Sequence, residues 1–107
     1  MYETPDLQTD TLVRTSEIRV HAPEDFDGMR AAGRLVAEAL DMIGEFVVPG
    51  VTTGELDDRI RQFTLDRGAL PACLGYKGYS KTICTSINHV VCHGIPGDRV
   101  LKDGDIV

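Results

Sequence analysis

Between Cys73 and Pro96 the sequence gathers its chemically versatile side chains. The run opens as Cys73-Leu74-Gly75-Tyr76-Lys77-Gly78-Tyr79-Ser80-Lys81-Thr82-Ile83-Cys84 and closes as Asn88-His89-Val90-Val91-Cys92-His93-Gly94-Ile95-Pro96. Two tyrosines on a glycine-punctuated loop offer apolar walls with polar tips. Cys73 and Cys84 add small, polarizable surface that tolerates a thioether. His93 is a titratable group on a short apolar segment ending in Gly-Ile-Pro, whose neighbours are stiff. Together these residues have the makings of a small-molecule pocket. Plainer readings stand beside it: a lone histidine among apolar residues is commonly structural, and two tyrosines are commonly core or surface aromatics. A zinc site from Cys73, Cys84, His89 and His93 would need the spacing C-x10-C-x4-H-x3-H. Structural zinc favours a tight cysteine pair, which this spacing lacks, and His89 reads as a surface turn residue.

The elements that must hold this segment come earlier. Phe26, Met29, Gly33, Val36, Leu40, Ile43 and Val47 recur at three- and four-residue steps, predicting a helix from about Pro23 to Phe46 with that stripe in the core. Pro23, Glu24 and Asp25 suit a first helical turn, while Ala22 stands where a capping hydroxyl is expected. Pro49-Gly50 is a stop. Thr52 and Glu55 have capping-box spacing, opening a second helix through about Asp66 that buries Leu56, Ile60 and Phe63, with Gly68 as a left-handed stop. The β-branched run Thr82–Ile87 predicts a strand, Asn88-His89 a turn, and Val90–His93 a second short strand. Asp103-Gly104 predicts a turn into a strand begun by Asp105-Ile106-Val107, and a short strand is read at Glu17–Val20.

Composition bounds the function. The 107 residues carry 11 Lys and Arg against 17 Asp and Glu, a net charge of −6, which argues against a nucleic-acid binder with a broad basic face. No apolar run approaches the roughly 18 residues of a membrane span, and no signal-type block follows Met1. Three cysteines without a secretory signal point to reduced thiols in a cytoplasmic protein. No Asp or Glu lies between Asp66 and Asp98, so any carboxylates for a site near the two tyrosines come from elsewhere.

The Cys73–Pro96 run resembles the type I methionine aminopeptidase segment C-L-G-Y-x-G-Y-P-K-S-x-C-x-S-x-N-x-V-V-C-H-G-I-P, of peptidase family M24. Met29-Arg30 with Gly33, the stretch Val48-Pro49-Gly50-Val51 with Gly54-Glu55-Leu56-Asp57, and Leu101–Val107 are similar to the family in the same order. Ser80 departs from a usual proline, Thr82 from a usual serine and Ala22 from a common Thr or Ser. The resemblance implies an α/β pita-bread fold, with residues 1–16 an N-terminal extension and 17–107 most of the first half of the catalytic domain. It implies a metal-dependent hydrolase that removes initiator methionine from nascent polypeptides when the second residue is small. Cys73, Tyr76, Tyr79, Cys84 and His93 would bind substrate, the first four as the pocket for the methionine side chain. His93 would be catalytic, donating to the leaving nitrogen, and the backbone carbonyls of Asn88 and Val90 would bind a monovalent cation. The implied cofactors are two divalent metal ions (cobalt, manganese, iron or zinc), and the implied partners are the nascent chain and the ribosome near its exit tunnel, with a monomeric full-length enzyme. The family's first metal-binding Asp aligns about three positions beyond Val107. The chain therefore reads as an N-terminal fragment without divalent ligands, inactive by itself and poorly folded. The alternative is a shortened module that binds a nascent chain or ribosome without hydrolysis.

Overall fold

The computed structural model describes residues 18–107; the expected extension 1–16 and Glu17 lie outside the described residues. The chain divides into two compact units, Met1–Arg34 and Leu35–Val107. In the first, Ile18–Val20 is exposed and forms no ladder, so the short strand expected at Glu17–Val20 is absent from its described part. Helix α1 spans Pro23–Gly44. Ala22 has no hydroxyl to cap it, and only the reciprocal half of a capping box is made: Asp25 Oδ2 accepts the Ala22 N–H at 2.9 Å.

The expected core stripe of α1 is corrected. Phe26, Met29, Val36, Leu40 and Val47 are exposed; Ala39 is buried, with Leu35, Met42, Ile43 and Phe46 half-buried. The helix carries two apolar stripes about a quarter-turn apart, meeting at Ile43, and local periodicity does not say which one finds a partner. The helix also ends at Gly44, two residues before the expected Phe46.

In the second unit, helix α2 spans Thr53–Asp66, with Thr52 Oγ1 accepting the Glu55 N–H at 3.1 Å. Its inner face carries Leu56 and Ile60, with Phe63 half-buried, as the pattern predicts. Gly68 closes it at φ 71°. Val51, Leu56, Ile87 and Leu101 form a small core against which Ile43 and Phe46 pack. The segment Gly50–Gly54 runs antiparallel to 97–101. The Gly50 N–H donates to the Leu101 carbonyl at 2.8 Å, the Leu101 N–H to Val51 at 2.8 Å, and the Thr53 N–H to Arg99 at 3.0 Å. Arg59 lies over the Phe46 ring at 3.8 Å, and Arg67 over Phe63 at 3.5 Å with Glu38 at 3.5 Å from its Nε.

The strands expected at Thr82–Ile87, Val90–His93 and Asp105–Val107 are not formed among the described residues; one isolated bridge, Thr52 with Val100, is the only β-pairing there. The reason lies in where their backbone groups bond. Thr82 and Ile83 donate their N–H groups to the Asp57 carboxylate, Gly94 to the Ser86 hydroxyl, and Ile106 to the Asn88 side chain. Side chains occupy donors a ladder would use, and single backbone bonds (Thr85 to Gly94, Asn88 to Ile106) replace runs of them. Asn88 and His93 also take positive φ, 54° and 56°, which interrupts extended pairing at both. The turns expected at Asn88-His89 and Asp103-Gly104 are present: Val90 N–H bonds the Ile87 carbonyl, and Gly104 has φ 90°. No helix among the described residues is long and apolar enough to cross a membrane.

Candidate functional site

The loop after α2 is shaped by a tight 3-10 turn at Tyr76–Gly78, with Gly75, Lys77 and Gly78 all at positive φ. Gly75 donates its N–H to the Tyr79 carbonyl at 2.7 Å, and Tyr76 donates to the Cys73 carbonyl at 3.0 Å. The two bonds fold Cys73, Tyr76 and Tyr79 around one small loop. Tyr76 is exposed, its ring 5.5 Å from Lys77 Nζ. Tyr79 is half-buried and turned back toward the chain that follows: its hydroxyl donates to the Ile83 carbonyl at 2.8 Å and lies 3.8 Å from Cys84 Sγ. Burial, then the bond to Cys84, pushes the Tyr79 hydroxyl up to about 12, with the charges of Cys84, Asp57 and Cys73 adding in the same direction. Tyr79, Cys84 and Cys73 thus form one electrostatic neighbourhood, and all three cysteines are free and exposed.

His93 enters from the next segment. The Thr85 N–H donates to the Gly94 carbonyl at 2.7 Å, joining the residue beside Cys84 to the residue beside His93. Gly94 is the residue that permits this approach, because a methyl there would overlap the Thr85 carbonyl. His93 itself is exposed in a left-handed conformation. No hydrogen bond, ion pair or ring contact joins its side chain to Cys73, Tyr76, Tyr79 or Cys84 among the described residues. Asn88 is braced: Asp105 Oδ1 accepts from its Nδ2 at 2.9 Å, and its own Oδ1 accepts the Ile106 N–H at 3.0 Å. That bond from Asn88, then the Lys102 N–H, holds the Asp105 carboxyl below the usual aspartate range. Val90, two residues on, is half-buried.

Of the expected pocket residues, Cys73, Tyr76, Cys84 and His93 are exposed and Tyr79 is half-buried. A cleft of about 130 Å³ is lined by Thr53, Thr85, Ile87, Val90, Gly94, Ile95 and Arg99. Another, of about 200 Å³, lies between Val47–Pro49 and Leu101–Val107. Neither includes Cys73, Tyr76, Tyr79, Cys84 or His93. No group of three or more His, Cys, Asp or Glu among the described residues could hold a metal ion.

Asp57 and Arg61, one turn apart on α2, escaped the sequence reading. Arg61 donates to the Ser80 carbonyl and Asp57, which is fully buried, accepts the Thr82 N–H. The available signal was position: Asp57 adjoins Leu56 and sits four residues after the buried Thr53, on the inward side of an amphipathic helix.

Residues 27–107 match metallopeptidase family M24. The chain is 58% identical over 90 residues to a methionine aminopeptidase of Rickettsia prowazekii, covering 84% of this chain and 35% of that protein. It is 56% identical over 92 residues to the methionine aminopeptidase of Escherichia coli strain K12, with the same coverage of 84% and 35%. The crystal structure of the Rickettsia prowazekii enzyme superposes with a TM-score of 0.81 over 83% of this chain and 36% of that one, at 56% identity. That of Thermotoga maritima methionine aminopeptidase gives 0.79 over the same shares, 83% and 36%, at 34% identity. The pita-bread fold expected from the motifs is the fold of these neighbours, and the chain spans about a third of the length of the curated relatives it matches.

Proposed function

Because the chain belongs to metallopeptidase family M24, we propose that the full-length gene product hydrolytically removes the N-terminal methionine of nascent proteins whose second residue is small. The observation that carries this reading is the Tyr79–Cys84 contact at 3.8 Å, with Cys73 in the same electrostatic neighbourhood. A thioether side chain gains from sulfur–aromatic and dispersion contacts with such a wall. In this reading Cys73, Tyr76, Tyr79 and Cys84 receive the methionine side chain. His93, whose neighbour Gly94 is bonded to Thr85 beside Cys84, hands a proton to the nitrogen that leaves. The carbonyls of Asn88 and Val90 are the proposed monovalent-cation ligands.

Family M24 implies divalent metal, with cobalt, manganese, iron and zinc as the candidate ions. The described residues bring no ligand group together, so every step assigned here runs through this chain's own side chains. Residues 1–107 by themselves are proposed to be inactive. A binding-only role draws on that same observation together with the exposure of Cys73, Tyr76 and Cys84, and the assay separates the two. Methionine release from a Met-Ala peptide by the full-length product supports the enzyme reading, and release by residues 1–107 by themselves would overturn the proposed inactivity. Replacing His93 with Asn should lower kcat by about 10²–10⁴. A full-length product that binds the peptide without releasing methionine supports the binding-only role instead.

A further inference from the structure

We propose that Asp57 and Arg61 of α2 are positioning residues that set the spacing of the Tyr79–Cys84 wall, and with it the affinity for the methionine side chain. The inference rests on the pocket reading above. Asp57 has no exposed surface, and its Oδ1 accepts the N–H groups of both Thr82 and Ile83 at 2.8 Å. Its Oδ2 makes no hydrogen bond and lies 3.7 Å from Arg61 Nη2. Arg61 in turn donates from Nε to Thr82 Oγ1 at 3.1 Å and from Nη2 to the Ser80 carbonyl at 3.3 Å. One turn of helix therefore grips four polar groups on three residues of the segment, Ser80, Thr82 and Ile83.

Ile83 makes this grip matter to the pocket. Its N–H is held by Asp57, and its carbonyl receives the Tyr79 hydroxyl at 2.8 Å. The next residue is Cys84, whose sulfur faces that same hydroxyl. The position of the Ile83 peptide thus fixes both members of the wall at once. The segment has no acid of its own, since none lies between Asp66 and Asp98, so a carboxylate for these two donors must come from another element. Small apolar residues at 57 would let α2 pack against the segment. They would leave two N–H groups unpaired, that of Thr82 buried and that of Ile83 partly buried, and the segment would shift to reach water.

The test uses the full-length gene product, with KM and kcat for a Met-Ala peptide and amide exchange at Thr82 and Ile83. Asp57→Ala should raise KM by about tenfold or more with kcat within about threefold, and should speed exchange at both amides by about tenfold. Asp57→Asn keeps one acceptor oxygen in the same shape and should raise KM by about threefold. If Asp57→Ala fails to fold, Arg61→Ala serves in its place, because Arg61 is partly exposed and its loss leaves both N–H bonds to Asp57 Oδ1 in place while removing the Ser80 and Thr82 bonds and the 3.7 Å ion pair with Asp57. Thr52→Ala is the control: it weakens the start of the same helix outside this contact, so it should lower the unfolding midpoint and leave KM unchanged. Faster exchange in Asp57→Ala with an unaltered KM would reduce Asp57 to a purely structural role and overturn the proposal. A KM rise of equal size in Thr52→Ala would overturn it too. If the parent protein releases no methionine, the hydrolase reading fails by itself, and KM is replaced by the dissociation constant for L-methionine; no difference between parent and Asp57→Ala there would overturn the proposal.

Discussion

Replacing Gly94 with Ala should damage both the fold and the site. An added Cβ would overlap the Thr85 carbonyl oxygen and lie 2.7 Å from its carbon and 3.0 Å from Ser86 Cα. All three are backbone atoms, so no side-chain rotation relieves the clash, and the two segments must separate. Separation loosens the Thr85 N–H to Gly94 carbonyl bond of 2.7 Å and the Gly94 N–H to Ser86 Oγ bond of 3.1 Å. Overpacking of this kind costs about 1–3 kcal/mol and each lost hydrogen bond about 0.5–1.5 kcal/mol, so the substitution should cost about 2–6 kcal/mol. That is a large share of the roughly 5–15 kcal/mol holding a typical domain. Urea unfolding of the full-length product should show a midpoint lower by about 1 M or more. Gly97→Ala is the matched comparison, because a Cβ there meets nothing within 4 Å, and it should stay within about 0.5 kcal/mol of the parent. Equal midpoints for the two variants would refute the claim that Gly94 marks an obligatory close approach.

Thr52→Ala removes the side-chain acceptor for the Glu55 N–H and should cost about 1 kcal/mol by chemical denaturation, with Thr52→Ser restoring most of it. Tyr79→Phe should cost about 0.5–1.5 kcal/mol and remove from the ultraviolet absorbance titration the tyrosinate step near pH 12. Since the folded protein raises this hydroxyl above its ordinary 10.0, its stabilising contribution is complete below pH 10.0 and fades as pH climbs through about 12. Asp105 has the opposite sign: its contribution is present above the ordinary aspartate value of 3.8 and is lost as pH falls through its depressed folded value. Asn88→Gly, which keeps the left-handed turn but removes the bond to Asp105, should move the Asp105 carboxyl back toward 3.8 in an NMR titration.

What the sequence discloses here is what short-range chemistry controls. The span of α2, its Thr52 cap, its Leu56/Ile60 face and the Gly68 stop each depend on residues within a few positions, and all are found where the pattern puts them. The turns at Asn88 and Gly104 are of the same kind. The absence of the expected strands was not legible because pairing depends on remote partners. The β-branched run 82–87 offers its first two donors to a carboxylate 25 and 26 residues earlier rather than to a neighbouring strand. On α1, two apolar stripes compete, and tertiary contacts decide for Ala39 over Leu40. The fold and the candidate site residues came from motif resemblance, and the physics of side chains could only say that such residues suit a thioether. Asp57 went unnoticed because an acid in an amphipathic helix ordinarily faces water.

The backbone at His93 also restricts how that position can vary. At φ 56° a residue with a branched Cβ is strained, whereas Gly, Asn, Asp and His enter that region with little penalty. The replacements that report on the imidazole alone are therefore few, with Asn and Gly foremost. Val or Ile would mix lost proton transfer with a bent main chain beside Gly94. A library saturating position 93 should accordingly sort by backbone tolerance first and by side-chain chemistry second, and activity rankings from it carry chemical meaning only within the first group.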